Sequence, residues 1–388
     1  MTRRSILEYV EAVRLRYRAS DKIGKGRILD EFTKVTGRHR KAAIRLLSQR
    51  QHRGARRRGR PPWYGAAAKE ALLHLWEVAD HLCSKRLHPF LAELVAVMKR
   101  HGELTIGPEA EQQLLSMSPS TIDRILHPHR LGLKRRPLAT TRPGSLLRSA
   151  IPIRTFSEWT ENQPGFVEVD LVAHCGESAE GFYLNTLCAV DVATGWNECL
   201  AVWGKGQQRV RSAVYRLQRQ LPFPLRGLDS DNGSEFINQS LYEYCRREKI
   251  TFTRSRSYKK NDSCHVEQKN WSIVRRLVGY DRFTSRSAYT ALHDVYDVAR
   301  LYVNFFQPTL KLRHKSRQGA RVHKTYDTAQ TPYQRLRDGT TLTDEQCRQL
   351  GRVYEALDPV VLHRQLQGRL ERLWAQAQHH PYASPSPR

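Results

Sequence analysis

Apolar residues recur at helical spacing in three short segments at the start of the chain. Ile6, Tyr9, Val10, Val13 and Tyr17 make one face, Ile28, Leu29, Phe32 and Val35 a second, and Ala42, Ala43, Leu46 and Leu47 a third. With a polar break over 20–26 and a tight turn at Thr36-Gly37, they predict a helix-turn-helix unit over 1–49. Its last helix would turn Arg38, Arg40, Lys41 and Arg45 outward, as a DNA major groove requires. Helical spacing returns at Ala71, Leu72, Leu75, Val78, Ala79 and Leu82, and again at Phe90, Leu91, Leu94, Val95 and Met98. Ser118 before Pro119 is an N-cap with proline at the first helical position. The stretch 64–133 therefore reads as a second helix-turn-helix unit, with Ser120, Thr121 and Arg124 available to DNA.

The period then changes. Residues 166–172 read as a strand that carries Asp170 near its middle, and 182–192 and 197–202 pair with it around the Ala193-Thr194-Gly195 turn. A helix through Val210, Val214 and Leu217 follows, then a strand over 225–228, a helix over 240–249 and a strand over 250–253. From Cys264 a long helix is expected to present Val266, Trp271, Val274 and Val278 to the sheet. Three antiparallel strands followed by alternating helix and strand is the ribonuclease-H-like order. Past 306 the chain is basic and turn-rich. Thr343 with Gln346 then forms a capping box, and Asp358-Pro359 opens a helix striped with Leu362, Leu366, Leu370, Leu373 and Trp374. That stripe is expected against the chain's own core rather than at a dimer seam.

The predicted fold class is multidomain. All-α helix-turn-helix units precede an α/β ribonuclease-H-like core, and a mostly helical C-terminal region follows it. Boundaries are expected at 1–49, a basic linker over 50–63, helices over 64–133, a linker over 134–155 and the core over 156–306. A basic arm or small module over 307–340, helices over 341–378 and a tail over 379–388 complete the chain.

Charge narrows the partner. Of 388 residues, 65 are Lys or Arg against 38 Asp or Glu, a net charge of +27, which points to a phosphate polymer. Part of it lies in Arg56-Arg57-Arg58-Gly59-Arg60-Pro61-Pro62, whose Arg57, Arg58 and Arg60 would follow a DNA backbone; Arg-Gly-Arg-Pro also resembles the AT-hook. With mean hydropathy −0.62 and no apolar run of bilayer length, a membrane partner is not expected. The N-terminus opens an amphipathic helix, so the cytoplasm, at the bacterial nucleoid, is the expected location. Seven cysteines without a Cys-x-x-Cys suggest neither a disulfide framework nor a zinc ribbon.

Three acids sit on separate elements of the α/β pattern: Asp170 on the first strand, Asp231 where a later strand meets an Asp-Asn-Gly turn, and Glu267 near a helix start. Between Asp231 and Glu267 stand 35 residues. This constellation, with Asp231-Asn232-Gly233-Ser234-Glu235-Phe236, resembles the catalytic core of the retroviral-integrase superfamily, which includes the DDE transposases of bacterial insertion sequences. The likeness covers about 163–306. Asn304-Phe305-Phe306-Gln307-Pro308 and Lys324-Thr325-Tyr326-Asp327 through Thr331-Pro332-Tyr333 are similar to tails that follow such cores in insertion-sequence transposases. The His-His-Cys-Cys zinc module of viral members has no counterpart, since the first cysteine is Cys83.

The resemblance implies a transposase that binds the ends of a mobile element, nicks a strand and joins the freed 3′-hydroxyl to target DNA. Asp170, Asp231 and Glu267 would be both catalytic and metal-binding, on two Mg²⁺ ions for which Mn²⁺ can substitute; Asp170 would bridge. Hard carboxylate oxygens suit such ions. Double-stranded DNA, as element terminal repeats and as target, is the implied partner, bound by a homodimer or higher synaptic assembly. Lys259, Lys260, Asn261, Lys269 and Asn270 flank Glu267 and are candidate phosphate contacts, with Arg275 and Arg276 beside them. Asp229, Glu168, Asp191 and Glu235 are rival acids, and Asp262 suits a helix N-cap. The alternatives are a catalytically silent transposase-derived DNA-binding protein and a structure-selective nuclease of the same fold.

Overall fold

The structure is a computed structural model that describes residues 3–48, 63–130, 163–255, 264–318 and 321–378. The arginine-rich linker with Arg57, Arg58 and Arg60, the linker over 134–155, the loop with Lys259, Lys260, Asn261 and Asp262, and the tail over 379–388 lie outside the described residues. The chain divides into two compact units, Met1–Pro62 and Trp63–Arg388.

In the first unit, α1 (Arg3–Ala19), α2 (Lys22–Thr36) and α3 (Arg40–Ser48) bury Val10, Phe32, Ala43 and Leu47 completely. The predicted break before α2 shrinks to two residues. Asp21 accepts the Gly24 N–H at 2.8 Å and caps α2 early, so Gly24 and Gly26 lie inside the helix. At the other end Gly37 takes φ 67 and stops it, three residues before α3 begins. Arg38, Arg40, Lys41 and Arg45 are all exposed, and Arg40 is ion-paired with Asp30.

The second unit is built on one five-stranded sheet: β1 (Phe166–His174), β2 (Leu184–Asp191), β3 (Asn197–Val202), β4 (Gly227–Ser230) and β5 (Thr251–Arg254), in the order β3-β2-β1-β4-β5. β1–β2 and β2–β3 pair antiparallel, β1–β4 and β4–β5 parallel, which is the ribonuclease-H-like arrangement expected from the period-two segments. Alternation along the strands divides two cores. Val167, Val169, Leu187, Ala189 and Leu228 face α8 (Gln207–Gln220) and α9 (Gln239–Arg247). The other face carries Val172, Cys188 and Val190 toward α10 (Cys264–Lys269) and α11 (Arg286–Phe306).

Behind α11 the same core continues without interruption into α4 (Ala66–Val78), α5 (Ser84–Arg100), α6 (Pro108–Leu115) and α7 (Pro119–Leu126), and into α13 (Asp344–Ala356) and α14 (Pro359–Trp374). The helices expected to stand alone over 64–133 are thus part of the unit that holds the sheet. The Tyr302 hydroxyl donates to the Val78 carbonyl at 2.5 Å, and Gln307 to that of Ala79 at 3.0 Å. On the sheet side Asn304, wholly buried, exchanges two 2.8 Å hydrogen bonds with the backbone of Asn197. Leu362, Leu366, Leu370 and Leu373 are buried in the same core, the intramolecular place expected of the stripe.

Residues 309–339, which no sequence pattern resolved, form a ribbon of β6 (Leu312–Gln318) against β7 (Arg321–Tyr326), followed by α12 (Pro332–Arg337). A clasp holds the ribbon's root. Arg335 pairs with Asp327 at 2.5 Å and donates to the Thr309 carbonyl at 2.7 Å, while Asp327 also accepts the Lys311 N–H at 2.7 Å. Thr331 and Gln334 cap α12 reciprocally, and Tyr333 packs on Phe305 with ring centroids 4.9 Å apart. Of the tail residues read from the sequence, Asp327 sits in this clasp and Thr331 and Tyr333 in the helix beside it. Among the described residues, no helix is long and apolar enough to cross a membrane.

Candidate active site

The parallel register of β1 and β4 lines acids up in two rungs. Glu168 pairs with Asp229 and Val169 with Ser230, so the next step sets Asp170 opposite Asp231 just past the end of β4. Glu168, Asp170 and Asp229 all project away from the α8–α9 side, because alternate strand positions share a face. The inner rung is buried; the outer one is half-buried, midway along β1 and at the carboxyl end of β4, and such strand ends are where open α/β sheets place their sites.

Local chemistry fixes the outer rung. Asp231 Oδ1 accepts the Gly233 N–H at 2.9 Å, closing a turn of the Asx kind. Asn232 ties that turn to the end of β5, donating to the Ser255 carbonyl at 2.8 Å and accepting from Arg254 at 3.0 Å. Glycine at 233 leaves room for the Glu235 side chain, since a Cβ there would lie 2.6 Å from its carboxyl carbon. Glu235, named above as a rival acid, is folded back over the turn.

The helix opposite brings the third acid. Glu168 Oε2 accepts the Val266 N–H at 2.9 Å and so anchors the start of α10. Glu267 follows in that first turn, near enough for its charge to be felt at Glu168. One turn further, the Asn270 amide donates to Asp170 Oδ2 at 2.6 Å, while its Oδ1 is buried without a donor. From Asn270 to Arg275 the backbone widens into a π-helix. Because i→i+5 bonding makes five residues nearly a full turn, Asn270 and Arg275 both face β1, where Arg275 donates to the Ala173 carbonyl at 2.9 Å.

This widening corrects two expectations. Val266, Val274 and Val278 are fully buried as predicted, yet Trp271 is 65% exposed, because the π-turn rotates it out of the apolar face. Lys269, expected on DNA, is only 8% exposed and packs inward; burial brings its ammonium down to about 8. Asn270, also expected on DNA, has its amide nitrogen committed to Asp170. In the helices over 64–133, Ser120 and Arg124 are exposed as expected, but Thr121 is buried. Its hydroxyl is engaged by Ser118 and Arg124 at the start of α7. Asn270 stands three positions after Glu267, but no sequence signal marked its bond to Asp170.

Electrostatically the rungs are poised for a cation. Burial, then the neighbouring Asp231 charge, pushes Asp170 up to about 7. Burial likewise raises Asp231, and burial followed by Asp231 raises Glu235. Glu168 is driven to about 8, mainly by burial, with Asp229 and Glu267 adding to the rise. Among the described residues no lysine or arginine forms an ion pair with Asp170 or Asp231. His265 is held neutral, its imidazolium brought down to about 4 by burial, which leaves it positional rather than acidic. Asp170 and Asp231, with Asn270 Oδ1, which has no donor among the described residues, offer oxygens of the kind Mg²⁺ prefers, whereas Glu267 is exposed and the three acids do not gather within 4.8 Å of one another.

A pH dependence follows. Folding raises Asp170 from 3.8 to about 7 and Glu168 from 4.5 to about 8, so their contribution to stability is complete in acid and is lost as pH rises through 7 to 8. A divalent ion bound there would displace protons from these carboxyls. The melting-temperature increment from Mg²⁺ should therefore grow between about pH 6 and about pH 8, and an increment flat with pH would contradict the site.

No protein-family model matches the chain. The catalytic core domain of BIV integrase, a solved structure, aligns with 44% of this chain and 91% of its own length, at 16% identity and a TM-score of 0.28. The ribonuclease-H-like assignment therefore rests on strand order and register. Over 328 residues the chain is 45% identical to "Uncharacterized protein y4rM" of Sinorhizobium fredii (strain NBRC 101917 / NGR234), across 84% of this chain and 94% of the relative. With that identity along nearly the whole of the relative, this chain belongs to the y4rM family.

Proposed function

We propose that the chain is a DDE-type DNA transposase, cutting at the ends of a mobile element and joining the freed 3′-hydroxyl to target DNA. One observation carries the reading. Asp170, midway along β1, and Asp231, just past the carboxyl end of β4, stand side by side, half-buried and mutually repelling, with Asn270 bonded to Asp170, and among the described residues no lysine or arginine pairs with either acid. Such an arrangement is unfavourable without a divalent ion and suited to one.

Asp170, Asp231 and Glu267 would hold two Mg²⁺ ions, or Mn²⁺; bound there, the ions activate the attacking oxygen and stabilise the leaving one. The rest falls to the chain. Asn270 orients the Asp170 carboxylate, Glu168 fixes the start of α10 and hence Glu267, and Arg275 ties the π-turn to β1. Exposed Arg38, Arg40, Lys41 and Arg45 on the α3 side, and Ser120 and Arg124 on α7, are the proposed contacts to element ends. Cutting two ends in concert calls for a homodimer or larger assembly on DNA.

The test uses full-length protein, Mg²⁺ and duplexes from the element ends flanking its coding sequence. Joined products are expected. Cleavage without joining would indicate a nuclease, and binding alone a silent descendant of a transposase; either result overturns the proposal.

A further inference from the structure

The β6–β7 ribbon has no part in the site described above, and its composition is one-sided. From Lys311 to Tyr326 it carries six lysines and arginines, two histidines and no acid. The acid that follows, Asp327, is already neutralised in the clasp by Arg335 and by the Lys311 N–H. The ribbon's own sequence therefore carries no compensating acid. Arg313 and Lys324 are exposed, and so are two side chains with apolar surface, Val322 at 47% and Tyr326 at 50%.

We propose that this ribbon is a DNA-binding arm that lies in the major groove of B-form duplex DNA, with Arg313 and Lys324 on the flanking phosphates. The inference rests on the transposase reading and adds a surface to it. The shape selects the ligand. Strands of 7 and 6 residues span roughly 20 Å, and the B-form major groove, about 12 Å wide, admits a two-stranded ribbon. The deep, narrow major groove of A-form RNA does not. Thr309, Lys311, Asp327 and Arg335 hold the base of the arm, so contacts along it are delivered by a braced element.

The experiment is salt-dependent binding of full-length protein to a short random-sequence DNA duplex, in EDTA, read by fluorescence anisotropy. Arg313→Ala with Lys324→Ala should weaken binding by about tenfold and lower the slope of log K against log salt by about 2, with an unchanged melting temperature. Arg313→Lys with Lys324→Arg should restore both. An unchanged slope would mean that the charges only guard the ribbon's open edges, and would overturn the proposal. Equal affinity for duplex RNA would overturn it too. Because no metal is present, failure of the arm and failure of the catalytic site are read separately: a chain that joins no ends can still show the slope change.

Discussion

Asp231→Asn is expected to bind element-end DNA like the parent and to lose cleavage and joining by on the order of 10³-fold or more, with Mg²⁺ or Mn²⁺. The substitution is nearly isosteric, and its amide oxygen can still accept the Gly233 N–H that closes the turn. What it removes is one of two facing negative charges, and what it leaves toward Asp170 is a hydrogen-bond donor at the proposed metal site. Burial still raises Asp170, but the Asp231 repulsion that adds to it disappears, so the metal-free variant should melt no lower than the parent. Loss of joining with retained stability separates chemistry from folding. Joining that survives the substitution would remove Asp231 from the site and the proposed function with it.

Arg335→Ala should cost about 3–5 kcal/mol, because it strands a buried carboxylate. Arg335 and Asp327 are only 9% and 11% exposed at the side chain, and the guanidinium also satisfies the Thr309 carbonyl. Truncation leaves Asp327 with the Lys311 N–H alone. Combining Arg335→Met with Asp327→Leu should recover most of that loss, since it deletes both charges and fills their volume. Denaturant unfolding of the two single variants and the pair closes the cycle. If Arg335→Ala unfolds at the parent's midpoint, the clasp does not hold the ribbon's root.

The sheet was legible in the sequence because its signals are local. Period-two alternation located β1 and put Glu168 beside Asp170 on one face, and the Asp-Asn-Gly turn located Asp231 at a strand end. Ser118-Pro119 and Thr343 with Gln346 marked helix starts that the structure retains. Legibility failed where long-range packing overrides spacing. A regular helix would have turned Trp271 inward, but the demand that Asn270 and Arg275 both reach β1 widens the helix and turns it out. Lys269 looks like a surface cation in isolation and is buried only because α10 lies on β2. The helices over 64–133 have complete apolar faces of their own, and no periodicity reveals that α11 will complete them. The ribbon at 312–326 has too little apolar character to announce itself as strand.

The position of α11 has a practical consequence for dissecting the protein. Its sheet side is locked to β3 by Asn304, its far side receives the carbonyls of Val78 and Ala79, and Arg369 of α14 donates to the Asp294 carbonyl at 2.6 Å. An excised polypeptide spanning only 156–306 would strip α11 of partners contributed from both directions along the chain, laying bare Tyr302, Phe305 and Phe306 to water. Aggregation is the ordinary fate of such a surface. The smallest autonomous piece is accordingly not the segment that bears the acids but the stretch from about residue 63 to 378, within which the helices on either side of the sheet act as its permanent scaffolding.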